Sequence, residues 1–331
     1  MAPSRRERHP RIAAAVVALV SLIAAAGCAT GGASRFDAQR VQALLDQARS
    51  AQEAGQSEQA IALFEQIVEE NPTIVEAHMG LADLFRQAGQ YDKAHQAYAK
   101  AATLEPDSFK AQFGDGLMLH LLGRLTEAVR AYLRALAIDP ADFQANLNVA
   151  TAYLQLGEPA YALPFAQRAV DVRPEDGPAR VNLGAVHAAM GQWEQAVEAY
   201  QQAKQRMTPT PELLMNLADA LNKLGRHEAM RDALAQLLAI EPSAQAWERM
   251  GAALFHLGRY DEALQAFRNA LEFDQQHYPA LNGVGVCLLN RYLSSGRQDK
   301  QARRAAVEAL RKSLRIHPRQ PRVVELLTRY S

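Results

Sequence analysis

Between residues 41 and 320 the apolar positions fall in blocks of about 14, spaced three and four apart, and each block closes on a glycine or a proline. That spacing puts the apolar side chains on one face of a helix, so each block predicts an amphipathic α-helix. A glycine suits a helix end that turns through the left-handed conformation, and a proline stops the helix that follows. Pro72, Pro106, Pro140 and Pro174 are 34 residues apart, and Pro242 lies two periods further on. Gly55, Gly89, Gly123, Gly157, Gly191 and Gly225 keep the same step. The pattern predicts eight helix-turn-helix units, at 41–74, 75–108, 109–142, 143–176, 177–210, 211–243, 244–277 and 278–320, with 321–331 as a closing cap.

Small and large residues also recur in register. Ala60, Ala94, Ala128, Ala162, Ala196 and Ala263 come five residues after the glycine, where a larger side chain would hold the paired helices apart. Phe64, Tyr98, Tyr132, Tyr200 and Phe267 come four residues later and fill the space beyond. This frame resembles the tetratricopeptide repeat, most fully in the stretch Trp247 to Leu271, with Trp247, Gly251, Gly258, Tyr260, Ala263, Phe267 and Ala270. The resemblance implies an all-α, right-handed superhelical solenoid of about eight repeats with a concave groove. Four units depart from the frame. The first lacks the early glycine and aromatic, the fourth has Ala166 in the aromatic place with Pro159 and Pro164 early in its second helix, the sixth has Met230 for alanine, and the last is nine residues longer around 292–300.

Upstream of the repeats the pattern changes. A basic segment, Arg5 to Arg11, precedes an apolar run of 15 from Ile12 to Ala26, and small residues lead to Cys28. That layout is a secretory signal peptide, and the run is short beside the about 20 residues that span a bilayer. Ala25 to Cys28 resembles a bacterial lipobox, although the lipobox usually carries Leu where Ala25 stands. The resemblance implies a signal at 1–27, acylation of Cys28, a tether over 28–40 and, with Ala29 next, sorting to the outer membrane facing the periplasm. Two or more acyl chains anchor a protein stably.

The formal charge of zero hides an asymmetry. Residues 28–290 carry a net −11, and residues 291–331 a net +8. No catalytic constellation accompanies it: there is no His-Glu-x-x-His, no glycine-rich phosphate loop and no serine nucleophile motif. The nine histidines are scattered along the chain without ligand spacing, and Cys287 reads as a small apolar core residue. The expectation is a non-enzyme without cofactor or metal, and export makes nucleic acid an unsuitable partner.

In the tetratricopeptide family the first helix of each unit lines the groove, and its second, fifth, sixth, ninth, twelfth and thirteenth residues tend to face a ligand. At the sixth place stand Asn148, Asn182 and Asn216, whose amides can both donate to and accept from a peptide backbone. The alternative is that they meet water or a neighbouring helix. Phe113, Leu117, Leu147, Met215 and Phe255 would make the groove partly apolar, and Arg249 alone resembles a clamp for a terminal carboxylate. A second candidate surface is basic: Arg303, Arg304, Arg311, Lys312, Arg315, Arg319 and Arg322. It suits an acidic partner or an anionic membrane face, or is a solvated capping helix.

Anchor and repeats together resemble the lipoproteins that assist the secretin in type IV and tight-adherence pilus assembly. Scaffolds of exopolysaccharide export, outer-membrane protein insertion or peptidoglycan enzymes fit the same class, and a binding module for cell-wall fragments is the rival from another class. The repeat frame itself is testable. Ala128→Leu should overpack one helix pair and cost about 1–3 kcal/mol in thermal or chemical unfolding, and an unchanged transition would refute the frame.

Overall fold

A computed structural model of the chain describes residues 38–331, which form helices and turns only. Cys28, the apolar run before it and the tether up to residue 37 lie outside the described residues. Two compact units divide the chain, one reaching to Ile138 and the other starting at Asp139. The first contains three helix pairs: α1 (38–53) with α2 (Ser57–Glu70), α3 (Val75–Gln87) with α4 (Tyr91–Leu104), and α5 (Phe109–Leu121) with α6 (Leu125–Ile138). The second contains α7 (Phe143–Gln155) with α8 (Pro159–Val172), α9 (Gly177–Ala189) with α10 (Trp193–Arg206), and α11 (Pro211–Lys223) with α12 (His227–Ile240). It continues with α13 (Ala244–His256) and α14 (Tyr260–Phe273), α15 (Tyr278–Ser294) and α16 (Lys300–Ile316), and closes on α17 (Pro321–Tyr330). Within each unit successive helices pack on one another, so the fold is an all-α solenoid of stacked helix-turn-helix repeats.

The turn inside a pair is built the same way each time. Gly123, at φ +72°, donates its N–H to the His120 carbonyl, and Arg124 N–H reaches back to Leu119 O at 2.9 Å. These two bonds satisfy carbonyls that the end of α5 leaves open. The turn between pairs is closed by side chains. Asp142, Asp176, Thr210 and Ser243 cap the helices after them by accepting from backbone N–H groups three residues on. The proline carbonyl of that turn is met from the fourth residue of the next helix: His78 to Pro72, Gln112 to Pro106, Asn146 to Pro140 and Arg180 to Pro174, at 2.9, 3.2, 3.1 and 3.0 Å.

Ala60, Ala94, Ala128, Ala162, Ala196 and Ala263 are all fully buried, as are Tyr132 and, within 5 %, Phe64, Tyr98, Tyr200 and Phe267. Each of these rings rests against the backbone of a glycine in a first helix. A Cβ on Gly116 would lie 2.6 Å from Tyr132, and one on Gly184 2.6 Å from Tyr200. Those glycines belong to the same pair as the ring. Gly114 instead meets Tyr98 of the preceding pair, and Phe267 is held between Gly251 of its own pair and Gly283 of the next.

The irregular units are accommodated locally. The fourth runs α8 through Pro164 with Ala166 fully buried, and Phe165, one residue earlier, packs 6.1 Å from Tyr153 instead. Met230 is fully buried. In the last pair both helices are 17 residues long, and the turn between them uses Gly296 and Arg297 at positive φ.

Alanine would gain about 1 kcal/mol of helix propensity over glycine. Filling both sides of the Phe267 ring, where the new Cβ atoms would stand 2.7 and 2.5 Å from Cδ1, outweighs that gain. Gly251→Ala/Gly283→Ala is expected to lower the urea midpoint by an amount equivalent to about 1–3 kcal/mol, and adding Phe267→Leu should recover part of the loss.

Candidate protein-binding faces

In the first unit the candidate apolar residues are already engaged in packing. Phe113 stacks on Phe109 at 5.7 Å between ring centroids and lies 5.7 Å from Tyr132. Leu117 packs against the core that includes Phe85 and Met118. Beside them the fold gathers a polar cluster around a buried carboxylate, from residues scattered along the sequence. Asp115 of α5 is 4 % exposed, with His95 Nδ1 of α4 2.7 Å from Oδ1 and Arg134 of α6 3.4 Å from Oδ2. Burial raises its carboxyl above the ordinary value, and His95 and Arg134 pull it back. Arg134 Nε also donates to Gln112 Oε1 at 2.6 Å, and Gln112 in turn holds the Pro106 carbonyl. The cluster ties three helices together.

In the second unit the three asparagines are not equivalent. Asn182 donates from Nδ2 to Thr151 Oγ1 of the preceding pair at 2.9 Å, and its Oδ1 is buried without a hydrogen-bond partner. Thr151 itself donates to the Leu147 carbonyl at 2.8 Å. Asn148 is half-buried and accepts from Gln144 at 3.4 Å, whereas Asn216 is exposed. The sixth position therefore meets the neighbouring helix at Asn182 and solvent at Asn216. Leu147, Met215 and Phe255 are half-buried; Phe255 packs its edge on Tyr260 at 5.2 Å.

Arg249 is matched by acids. Its Nε lies 3.0 Å from Asp219 Oδ1, without the alignment of a hydrogen bond, and its Nη1 is 3.8 Å from Glu248. Burial raises the Glu248 carboxyl, with Arg249 opposing. A guanidinium already facing two carboxylates is poorly placed to clamp a third. His227 and His256, from different pairs, are brought together with rings stacked at 4.4 Å, and burial followed by the neighbouring ring lowers His227. Among the described residues no group of three or more histidine, cysteine or acidic side chains is placed to hold a metal. The Cys287 thiol is buried and pushed up to about 12 by desolvation, which leaves it unreactive. No helix of the described residues is long and apolar enough to cross a membrane.

The basic residues lie where the second unit closes. Arg303, Arg304, Arg311 and Arg315 share a cleft between α16 and α17, while Lys312, Arg319 and Arg322 are exposed outside it. The sequence gives no warning of an exposed aromatic patch either. Tyr161 of α8, 62 % exposed, packs 5.6 Å from Tyr153.

The tetratricopeptide repeat family profile matches residues 45–107, 81–143, 122–179, 147–210, 181–243 and 244–277, and the chain belongs to that family. Small glutamine-rich tetratricopeptide repeat-containing protein 2 of Mycosarcoma maydis is 32 % identical over 117 residues, 34 % of this chain and 33 % of its own. A TPR repeat-containing protein of Rhizobium etli is 30 % identical over 82 residues, 24 % of this chain and 40 % of its own. The chain thus spans a third to two fifths of the length of these relatives. YrrB, a TPR protein whose crystal structure shows an unusual peptide-binding site, superposes with a TM-score of 0.52 at 21 % identity, over 60 % of this chain and 99 % of YrrB. The fold is that of a protein-interaction scaffold rather than an enzyme.

Two substitutions separate the structural asparagine from the solvent-facing one. Asn182→Ala is expected to cost about 1 kcal/mol in chemical unfolding through the lost bond to Thr151, and Asn216→Ala to stay within about 0.5 kcal/mol.

Proposed function

We propose that the protein is a lipid-anchored adaptor of a bacterial outer membrane, facing the periplasm and holding protein partners during assembly of an envelope machine. The observation that carries the reading is a tetratricopeptide scaffold preceded, in sequence, by a basic segment, an apolar run and Cys28. Acylated Cys28 would keep the repeats near the membrane surface. The first-helix face of the second unit, with Asn148, Asn216 and half-buried Met215 and Phe255, would take an extended peptide or helix of the partner.

Pilus and secretin biogenesis, of the type IV or tight-adherence kind, is the machine this architecture fits best. The support is the pairing of anchor and repeats in one chain. Binding of cell-wall fragments is less well supported, because Tyr98, Tyr132, Tyr200 and Phe267 are occupied between helices rather than presented to a sugar.

The test is mild detergent extraction of the tagged protein from its native envelope, with mass spectrometry of what accompanies it. The wild type is expected to bring a secretin or pilus component that Asn148→Ala/Asn216→Ala loses, and Cys28→Ser to leave the membrane fraction. Partners retained by the double variant would remove the face from the proposal; no specific partner with either would remove the adaptor.

A further inference from the structure

Several arginines of the repeats are paired with acids. Arg124 and Arg259 each lie 2.6 Å from a glutamate three residues on, Arg40 lies 2.7 Å from Glu70, and Arg249 faces Asp219. Arg303, Arg304, Arg311 and Arg315 have no such partner: no carboxylate of a described residue lies within 4.0 Å of any of them. All four line one cleft of about 430 Å³ between α16 and α17. Glu308 is the single acidic side chain in its wall, which Ser331 also lines, so the four guanidinium groups outnumber it.

The arrangement follows from helical spacing. Positions 303, 307, 311 and 315 are four apart, and each step advances about 6 Å along one face of the helix. Val307 on that face and Tyr330 from α17 add an apolar wall. The start of α17 is held by a hydrogen-bond hub. Gln320 donates from Nε2 to Ser313 Oγ at 2.9 Å and to His317 O at 2.7 Å, and its Oε1 accepts from Asn282 Nδ2 at 2.7 Å. Ser313 is fully buried and Val323 nearly so, which fixes the start of α17 against α15 and α16.

We propose that this cleft is a binding site for a compact, multiply charged phosphate group. A single carboxylate would neutralise one of the unpaired guanidinium groups. A phosphate monoester or diphosphate brings two or more charges and several acceptor oxygens to planar donor forks that match them. The organic part of the ligand would lie along Val307 and Tyr330. A soluble phosphorylated compound and the headgroup of an anionic phospholipid share this chemistry, and the site lies on other helices than the peptide face of α7 to α13.

Isothermal titration of the full chain in dodecyl maltoside with inorganic pyrophosphate at low salt tests the site. One pyrophosphate is expected to bind, and Arg304→Gln/Arg311→Gln, two exposed residues of the cleft, to weaken it by at least about tenfold. Arg319→Gln/Arg322→Gln, outside the cleft, should change affinity by less than about twofold. Flotation with phosphatidylglycerol vesicles identifies the source. Arginine-dependent flotation that pyrophosphate competes away assigns a lipid headgroup, and pyrophosphate binding without it assigns a soluble phosphate. No pyrophosphate binding, equal losses in the two double variants, or preference for a glutamate-rich peptide would each overturn the proposal.

Discussion

The contact on which the rest depends is an aromatic ring resting on a backbone that has no Cβ. Phe267 is the fullest case, with Gly251 of its own pair on one side and Gly283 of the next on the other. One side chain closes a helix pair and docks the following pair. Because each repeat touches only its neighbours, a solenoid has no central core to compensate for a poor junction. The fully buried alanines at the start of the second helices serve the same end, allowing the two backbones to approach until the ring is covered. Burying a ring of this size contributes about 1.5–3 kcal/mol, and a methyl group at either glycine would push it out of place.

A second constraint is polar. A proline turn between pairs leaves a carbonyl outside every helix ladder, open to a side-chain donor. His78, Gln112, Asn146 and Arg180 answer it, four different side chains at one position 34 residues apart. Their shared feature is a donor of the right reach. His78, one of the scattered histidines, is thus a structural residue. The same economy governs the candidate faces, where Asn182 joins two repeats and Arg249 is held by Asp219.

Charge is distributed unlike the packing. Acids dominate residues 28–290, and several arginines of the repeats pair with them, whereas four arginines of α16 share a cleft with one acidic side chain, Glu308. Ion pairs at exposed sites contribute little to stability, about 0–1 kcal/mol each. Their presence along the repeats and absence at α16 bears on recognition more than on folding.

The sequence by itself determined the class of fold, because a 34-residue period of apolar faces, glycine stops and proline turns has one economical solution, stacked helix pairs. The positions of Ala128, Tyr132, Gly251 and Phe267 within that period announced which residues would be buried. Pattern also marked the asparagines and the basic end as unusual. Only the tertiary structure decided what those residues do, since periodicity gives the face of a helix and not the neighbour beyond it. Whether Asn182 meets a ligand or Thr151, and whether Arg249 is free or matched by Asp219, depends on which side chains the preceding repeat brings within about 3 Å. His95, Asp115 and Arg134 converge for the same reason: they are distant along the chain, and stacking alone makes them neighbours.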